Sequence, residues 1–183
     1  MARTYSACSD RYRLDVPKRL YVHRIFLASP SDLQHERDVA LDVQNRVNHQ
    51  LVKRGGLAHL MTWEQVPSTA GRPQKQINEM VDECDLFIGM LHQKWGTPTG
   101  QYSSGFEEEF ERALTRRTRT GAPNIALYYK LPKRNPPAAL RSDLKKIEAF
   151  KQRHSQLRIK PSPYPLTASF NRSSAALAST MRI

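Results

Sequence analysis

Four carboxylates crowd the decapeptide Ser104-Gly105-Phe106-Glu107-Glu108-Glu109-Phe110-Glu111-Arg112-Ala113. It follows the apolar run of residues 86–91 and a loop rich in Gly, Pro, Thr and Ser, so it reads as a helix opening above the end of a buried strand. Open α/β sheets bind their ligands at that edge. Acids in the first turns of such a helix either complement its positive end or face a ligand. Ser104-x-x-Glu107 has the spacing of a capping box, which gives Glu107 a structural role as well as a place among the candidate substrate contacts. Glu108 and Glu111 read as solvated charges. Glu109 shares the turn that carries Phe106, Phe110 and Ala113 inward, so it can point across the sheet edge. A carboxylate there can hold ribose hydroxyls, or act on a glycosidic bond as nucleophile or charge stabiliser.

Three other segments should reach the same edge. Ser29-Pro30-Ser31-Asp32 hands a strand over to a helix start, where free backbone N–H groups suit a phosphate or carboxylate. Ser29, Pro30 and Ser31 are therefore candidate binding residues, with an ordinary helix cap as the competing reading. Trp63-Glu64 and the loop carrying Gly71-Arg72-Pro73 offer Trp63 to stack on a base and Arg72 to clamp an anion, or else both cover the core. The loop around Lys94-Trp95-Gly96 exceeds the usual few residues of such a connection, and Trp95 is a second candidate stacking ring.

The elements that must position these residues follow from apolar periodicity. Residues 20–28 form a run rich in branched and aromatic side chains, predicting a strand buried on both faces. Ser31-x-x-Gln34 has capping-box spacing, and Leu33, Ala40, Val43, Val47 and Leu51 mark one helical face. Gly55-Gly56 ends that helix. A second strand is predicted over residues 57–63, a loop over 67–73, and a short helix from Ile77, Met80, Val81 and Cys84. The third strand covers 85–91 and the long loop 92–105. Phe106, Phe110, Ala113 and Leu114 give the next helix its inner face. A fourth strand over 124–130 and a helix after Pro136-Pro137, with Leu140, Leu144, Ile147 and Phe150 inward, complete the pattern. Alternating strand and helix predicts an α/β fold: a three-layer, flavodoxin-like (Rossmann-like) parallel sheet of four or five strands with helices on both faces. Residues 1–19 read as a flexible leader, 20–158 as the flavodoxin-like α/β domain, and 159–183 as an irregular basic tail, a truncated or divergent C-terminal end.

Composition narrows the chemistry. The 183 residues carry a formal net charge of +12, but unevenly. Residues 1–111 hold 13 basic and 15 acidic side chains, whereas residues 112–183 hold 16 and 2. The basic third can attract nucleic acid, although no reading helix or interleaved aromatic pattern accompanies it, so a solubilising tail is the favoured reading. Two cysteines and six unpaired histidines argue against a disulfide or a metal site, and no cofactor is expected. No segment is apolar enough to cross a bilayer and no cleavable leader is visible, so a cytoplasmic location without membrane partners is expected.

Several segments taken together resemble the domain of unknown function 4062 family. They are Ile25-Phe-Leu-Ala-Ser-Pro-Ser-Asp-Leu-Gln-His-Glu-Arg37, Trp63-Glu64, Gly71-Arg-Pro-Gln74 with Ile77-Asn78, and Asp85-Leu-Phe-Ile-Gly89. The series continues through Trp95-Gly-Thr-Pro-Thr-Gly100, Ser104-Gly105, the run Glu107 to Ala113, and Tyr128-Tyr-Lys130. The resemblance covers residues 20–155. It implies a TIR-related fold and an effector or adaptor role in signalling or defence, commonly ahead of ATPase or repeat modules. More distantly, the acidic helix is similar to that of nucleoside 2-deoxyribosyltransferases, whose Gly-Thr-x-x-Glu-x-Gly-x-Ala run places the catalytic acid on Glu109. TIR-type NAD hydrolases put a glutamate near the start of a comparable helix.

These likenesses imply N-glycosidic chemistry on NAD or a nucleotide, with Glu109 as catalytic acid. Ser29, Pro30 and Ser31 would hold phosphate, Arg72 would add charge, and Trp63 or Trp95 would stack. The alternative is a non-catalytic nucleotide-binding or protein-interaction module that self-associates or meets a signalling partner through Arg141, Lys145 and Lys146. The sequence departs from the enzymes at Phe106, where they have Thr, and at Glu111, where they have Gly. The family's final strand and helix are not recognisable after residue 158.

Overall fold

The computed structural model describes residues 19–66, 73–132 and 135–155. Four strands, β1 (Tyr21–Ala28), β2 (Gly56–Thr62), β3 (Leu86–Leu91) and β4 (Asn124–Tyr129), lie in the order β2-β1-β3-β4. All three pairings are parallel. The helices are α1 (Gln34–Leu51), α2 (Pro73–Glu83), α3 (Gly105–Thr120) and α4 (Arg141–Arg153). The fold is a three-layer, flavodoxin-like α/β sandwich, as the alternating pattern predicted.

Successive strand residues point to opposite faces, so each strand feeds two cores. Ile25, Leu27, Leu60, Ile88 and Met90 meet Leu33, Ala40 and Val43 on the α1 side. Phe26, Ala28, Met61, Phe87 and Leu127 meet Ile77, Val81, Phe106, Phe110, Ile147 and Phe150 from α2, α3 and α4 on the other. Sequential helices thus leave β1 and β3 toward opposite layers. Between those two neighbouring strands lies the point where the sheet's winding reverses, the place where open α/β sheets form their ligand crevice.

Element boundaries fall within a few residues of expectation, with two corrections. Only the second half of β1 is buried on both faces, because β3 joins it from Ile25 onward; Tyr21 and Val22 have β2 alone beside them and are exposed. The expected capping box at Ser31 and Gln34 is also not made. A 3-10 turn at Ser31–Leu33 precedes α1 with no side-chain cap, since the Gln34 carbonyl accepts from Arg37 and the Ser31 hydroxyl from Lys94. At the far end, Gly55 supplies the left-handed residue (φ 79°) that closes the helical stretch.

Gly89 of β3 shows how closely α3 sits on the sheet. A methyl group there would lie 2.5 Å from Leu127 Cδ2 and 3.1 Å from the Phe106 ring. Gly89→Ala should therefore cost roughly 1–3 kcal/mol by overpacking a filled core. Chemical unfolding measures this; a variant as stable as the parent would mean that Phe106 is free to shift.

Candidate functional site

The carboxyl rim holds two distinct polar constructions, one in each layer. On the α1 side the organiser is Arg37, a residue only 1% exposed. Its Nε donates to Glu64 Oε1 (3.2 Å), and Nη1 donates to Ser29 Oγ (3.0 Å) and the Pro30 carbonyl (2.9 Å). Nη2 donates to Gln34 Oε1 (2.6 Å) and lies 3.0 Å from Glu64 Oε1. The guanidinium also stands 5.5 Å from the Trp63 ring centroid, in cation–π geometry. Its neighbour Glu36 reaches the other way and pairs with Lys130 beyond β4. Adjacent residues of α1 therefore tie the ends of β2 and β4 to the end of β1.

The second construction lies between the first turns of α2 and α3. The four acids of the acidic run have four different surroundings. Glu107 Oε2 accepts from the Ser103 backbone N–H (2.9 Å) and hydroxyl, while the Glu107 N–H donates to Ser104 Oγ (3.1 Å). Glu108 accepts from Asn78 (2.8 Å), and Glu111 lies 3.7 Å from His154 Nε2. Glu109 alone is fully enclosed, with a hydrogen bond from Gln74 and no cationic partner among the described residues. Burial pushes its carboxyl up to about 8; the Gln74 bond opposes that rise and the nearby Glu108 charge adds to it. Glu36 is equally buried but has its lysine, so Glu109 is the anomalous acid of the rim.

Glycine at position 105 makes this arrangement fit. A Cβ there would press within 3.3 Å of Gln74 Oε1 and approach both Thr99 and Glu109. The Thr99 hydroxyl is buried without a partner in the same neighbourhood.

The expected site residues divide between the two constructions. Ser29 and Trp63 are joined through Arg37; Pro30 contributes its carbonyl to the same guanidinium. Ser31 accepts a 3.4 Å bond from the Lys94 ammonium. Trp95 is 2% exposed, wedged between Phe106 and Phe150, and its indole N–H donates to Ser103 Oγ (2.8 Å). That ring is core and offers no stacking face, whereas Trp63 is partly exposed and has the Arg37 guanidinium over its ring. The Glu107 carboxylate is occupied by Ser103, which places it in the capping of α3. Arg72 lies outside the described residues. No described contact gathers Ser29, Trp63, Trp95 and Glu109 about one hollow: the first two belong to the α1 side and the last two to the α2–α3–α4 side.

The residues that organise both constructions, Arg37, Glu36 and Gln74, were not singled out by type or spacing. A buried charge leaves no periodic mark, and the only signal was their place inside the motif segments. Among the described residues, no three His, Cys, Asp or Glu side chains come together as a metal would require. No described helix is long and apolar enough to cross a membrane.

None of the curated proteins matches the chain. One family model does, over residues 24–175, from the middle of β1 to a point beyond α4 and past residue 158. With most of its length matched, the chain belongs to the family described as a domain of unknown function (DUF4062).

Proposed function

We propose that this domain is a TIR-like signalling or defence effector that cleaves the N-glycosidic bond of NAD or a nucleotide, with Glu109 as the catalytic residue. The observation that carries the reading is the state of Glu109: a carboxyl buried at the sheet's carboxyl rim, with an amide for a partner and no cation among the described residues. Enclosing such an acid works against the fold, since a buried carboxyl must either hold its proton or carry the cost of an unpaired charge. Acids held in this condition are a recurrent mark of catalytic sites.

The chemistry follows from its protonation. With the cleft empty near neutral pH, Glu109 keeps its proton. The nicotinamide riboside of NAD is cationic, and a cation beside a carboxyl favours the ionised form, so binding would expel the proton. The carboxylate then faces the sugar carbon as the C–N bond breaks and its electron pair leaves with nicotinamide. Water adds to that carbon and gives its proton to Glu109, which later passes it to solvent. A neutral nucleoside would use the protonated form instead, as donor to the departing base. In this reading the Thr99 hydroxyl, which has no partner among the described residues, meets a sugar hydroxyl.

A second reading, a non-catalytic binding or adaptor module, draws support from the occupied Ser29 hydroxyl, the enclosed Trp95 and the exposed Arg141, Lys145 and Lys146 on α4. Incubating the purified protein with NAD, nucleotides and nucleosides, and following free base by chromatography, separates the two. Release of nicotinamide or a nucleobase is expected. Substrates that all return intact would leave the adaptor reading.

A further inference from the structure

The rim at the carboxyl ends of β1 and β3, where open α/β sheets form their ligand crevice, contains polar atoms that neither construction uses. Asp32 Oδ2 accepts from the backbone N–H groups of Gln93 (2.9 Å) and Lys94 (3.1 Å), which stitches the loop after β1 to the loop after β3. The other carboxylate oxygen, Oδ1, is buried without a hydrogen-bond partner among the described residues. So is Nε2 of Gln93, a residue 8% exposed. One acceptor and one donor are thus left unmatched at the place where open α/β sheets bind ligands. A buried polar atom with no partner is costly, and native folds keep few of them without a use.

Lys94 adjoins the spot. Its backbone N–H is fixed on Asp32, and its side chain runs along the same loop to Ser31 Oγ, where it makes only a long 3.4 Å bond. An ammonium held so loosely on an exposed residue can swing out and meet an anion.

We propose that this crevice binds a sugar phosphate, with the ribose 5-phosphate unit of a nucleotide as the matching class. Asp32 Oδ1 accepts from one sugar hydroxyl, Gln93 Nε2 donates to a neighbouring one, and Lys94 with Ser31 takes the phosphate. A bare anion does not fit equally well, because the Asp32 carboxylate repels it and only neutral hydroxyls turn that carboxylate into an asset. The assignment rests on reading this rim as a nucleotide site but not on the chemistry of Glu109.

Ribose 5-phosphate has no glycosidic base, so its binding can be measured by calorimetry whether or not the protein turns over. It should bind the full chain, as should AMP, and inorganic phosphate should bind distinctly more weakly. Gln93→Leu should weaken ribose 5-phosphate at least about tenfold, the scale of one lost hydrogen bond to a buried partner. The melting temperature of that variant should not fall, because Nε2 has no protein partner to lose. Lys94→Ala should weaken both sugar phosphate and inorganic phosphate. Unchanged affinity in Gln93→Leu overturns the site. So does a marked loss of stability in that variant, which would reveal a structural water on the amide, or equal affinity for phosphate and ribose 5-phosphate. Base release that survives Gln93→Leu while ribose 5-phosphate fails to bind would sink this site alone. Intact sugar-phosphate binding without any base release would sink the glycosidase alone.

Discussion

Replacing Arg37 with methionine should destabilise the domain by about 2–6 kcal/mol, roughly 1–3 kcal/mol for each of two buried oxygens left without a donor. A guanidinium has five N–H donors. Here each one has an acceptor: two go toward Glu64, and one each to Ser29, Pro30 and Gln34. Methionine fills much of the volume but leaves the Ser29 and Pro30 oxygens without donors in a site closed to water. The carboxylate suffers less, because Glu64 is partly exposed and regains solvent. Arg37→Lys should recover only part of the loss, since an ammonium presents three donors from a single point and cannot span three elements. Glu64→Gln should be the mildest of the three. Urea midpoints for the set provide the check; a methionine variant that unfolds alongside the parent would show that the guanidinium is dispensable.

Glu109→Gln should lower base release by a factor of about 10²–10⁴, the usual contribution of a positioned acid or base, while the fold survives. The same variant carries a stability signature with a definite sign. The folded carboxyl titrates at about 8 against an ordinary value of 4.5, so through that interval the native state retains a proton that the unfolded chain has released. Native stability therefore declines as pH rises across the interval and levels off above it. Glutamine has nothing to ionise. Its advantage over the parent should grow from nothing near pH 4.5 to a few kcal/mol at the upper end, at roughly 1.4 kcal/mol for each tenfold change in proton affinity. Melting curves at several pH values test this, and parallel profiles for the two proteins would mean that Glu109 titrates normally.

The fold was legible because it rests on period and punctuation. Phe26 and Ala28 alternate with Ile25 and Leu27, and Phe106, Phe110 and Ala113 recur at helical spacing; such patterns survive without knowledge of any partner. Gly55 could be read as a terminator because positive φ is costly for other residues. The site was less legible. Type and neighbourhood singled out Glu109, yet the feature that sets it apart, enclosure without a cation, depends on Gln74 being 35 residues away in sequence and adjacent in space. Trp95 misled for the opposite reason. A tryptophan in a Gly- and Pro-rich loop looks available for stacking, but the Phe106 and Phe150 rings that enclose it arrive from α3 and α4. Capping was right where the serine stood free to act, at Ser104, and wrong at Ser31, where distant Lys94 claimed the serine and Arg37, one turn on, claimed Gln34. Gln93 and Asp32 could not be found from type at all, because a missing partner is a property of the assembled crevice.

The most direct test of the account is the titration of the Glu109 carboxyl carbon by NMR in protein labelled at glutamate, with the cleft empty and with NAD bound. The empty domain should give a midpoint near 8, as its burial requires, and bound NAD should pull that midpoint down as the cationic ring draws the proton off. A carboxyl that titrates near 4.5 and does not respond to NAD would contradict the account: Glu109 would be an ordinary solvated acid, and the rim would have lost its catalyst.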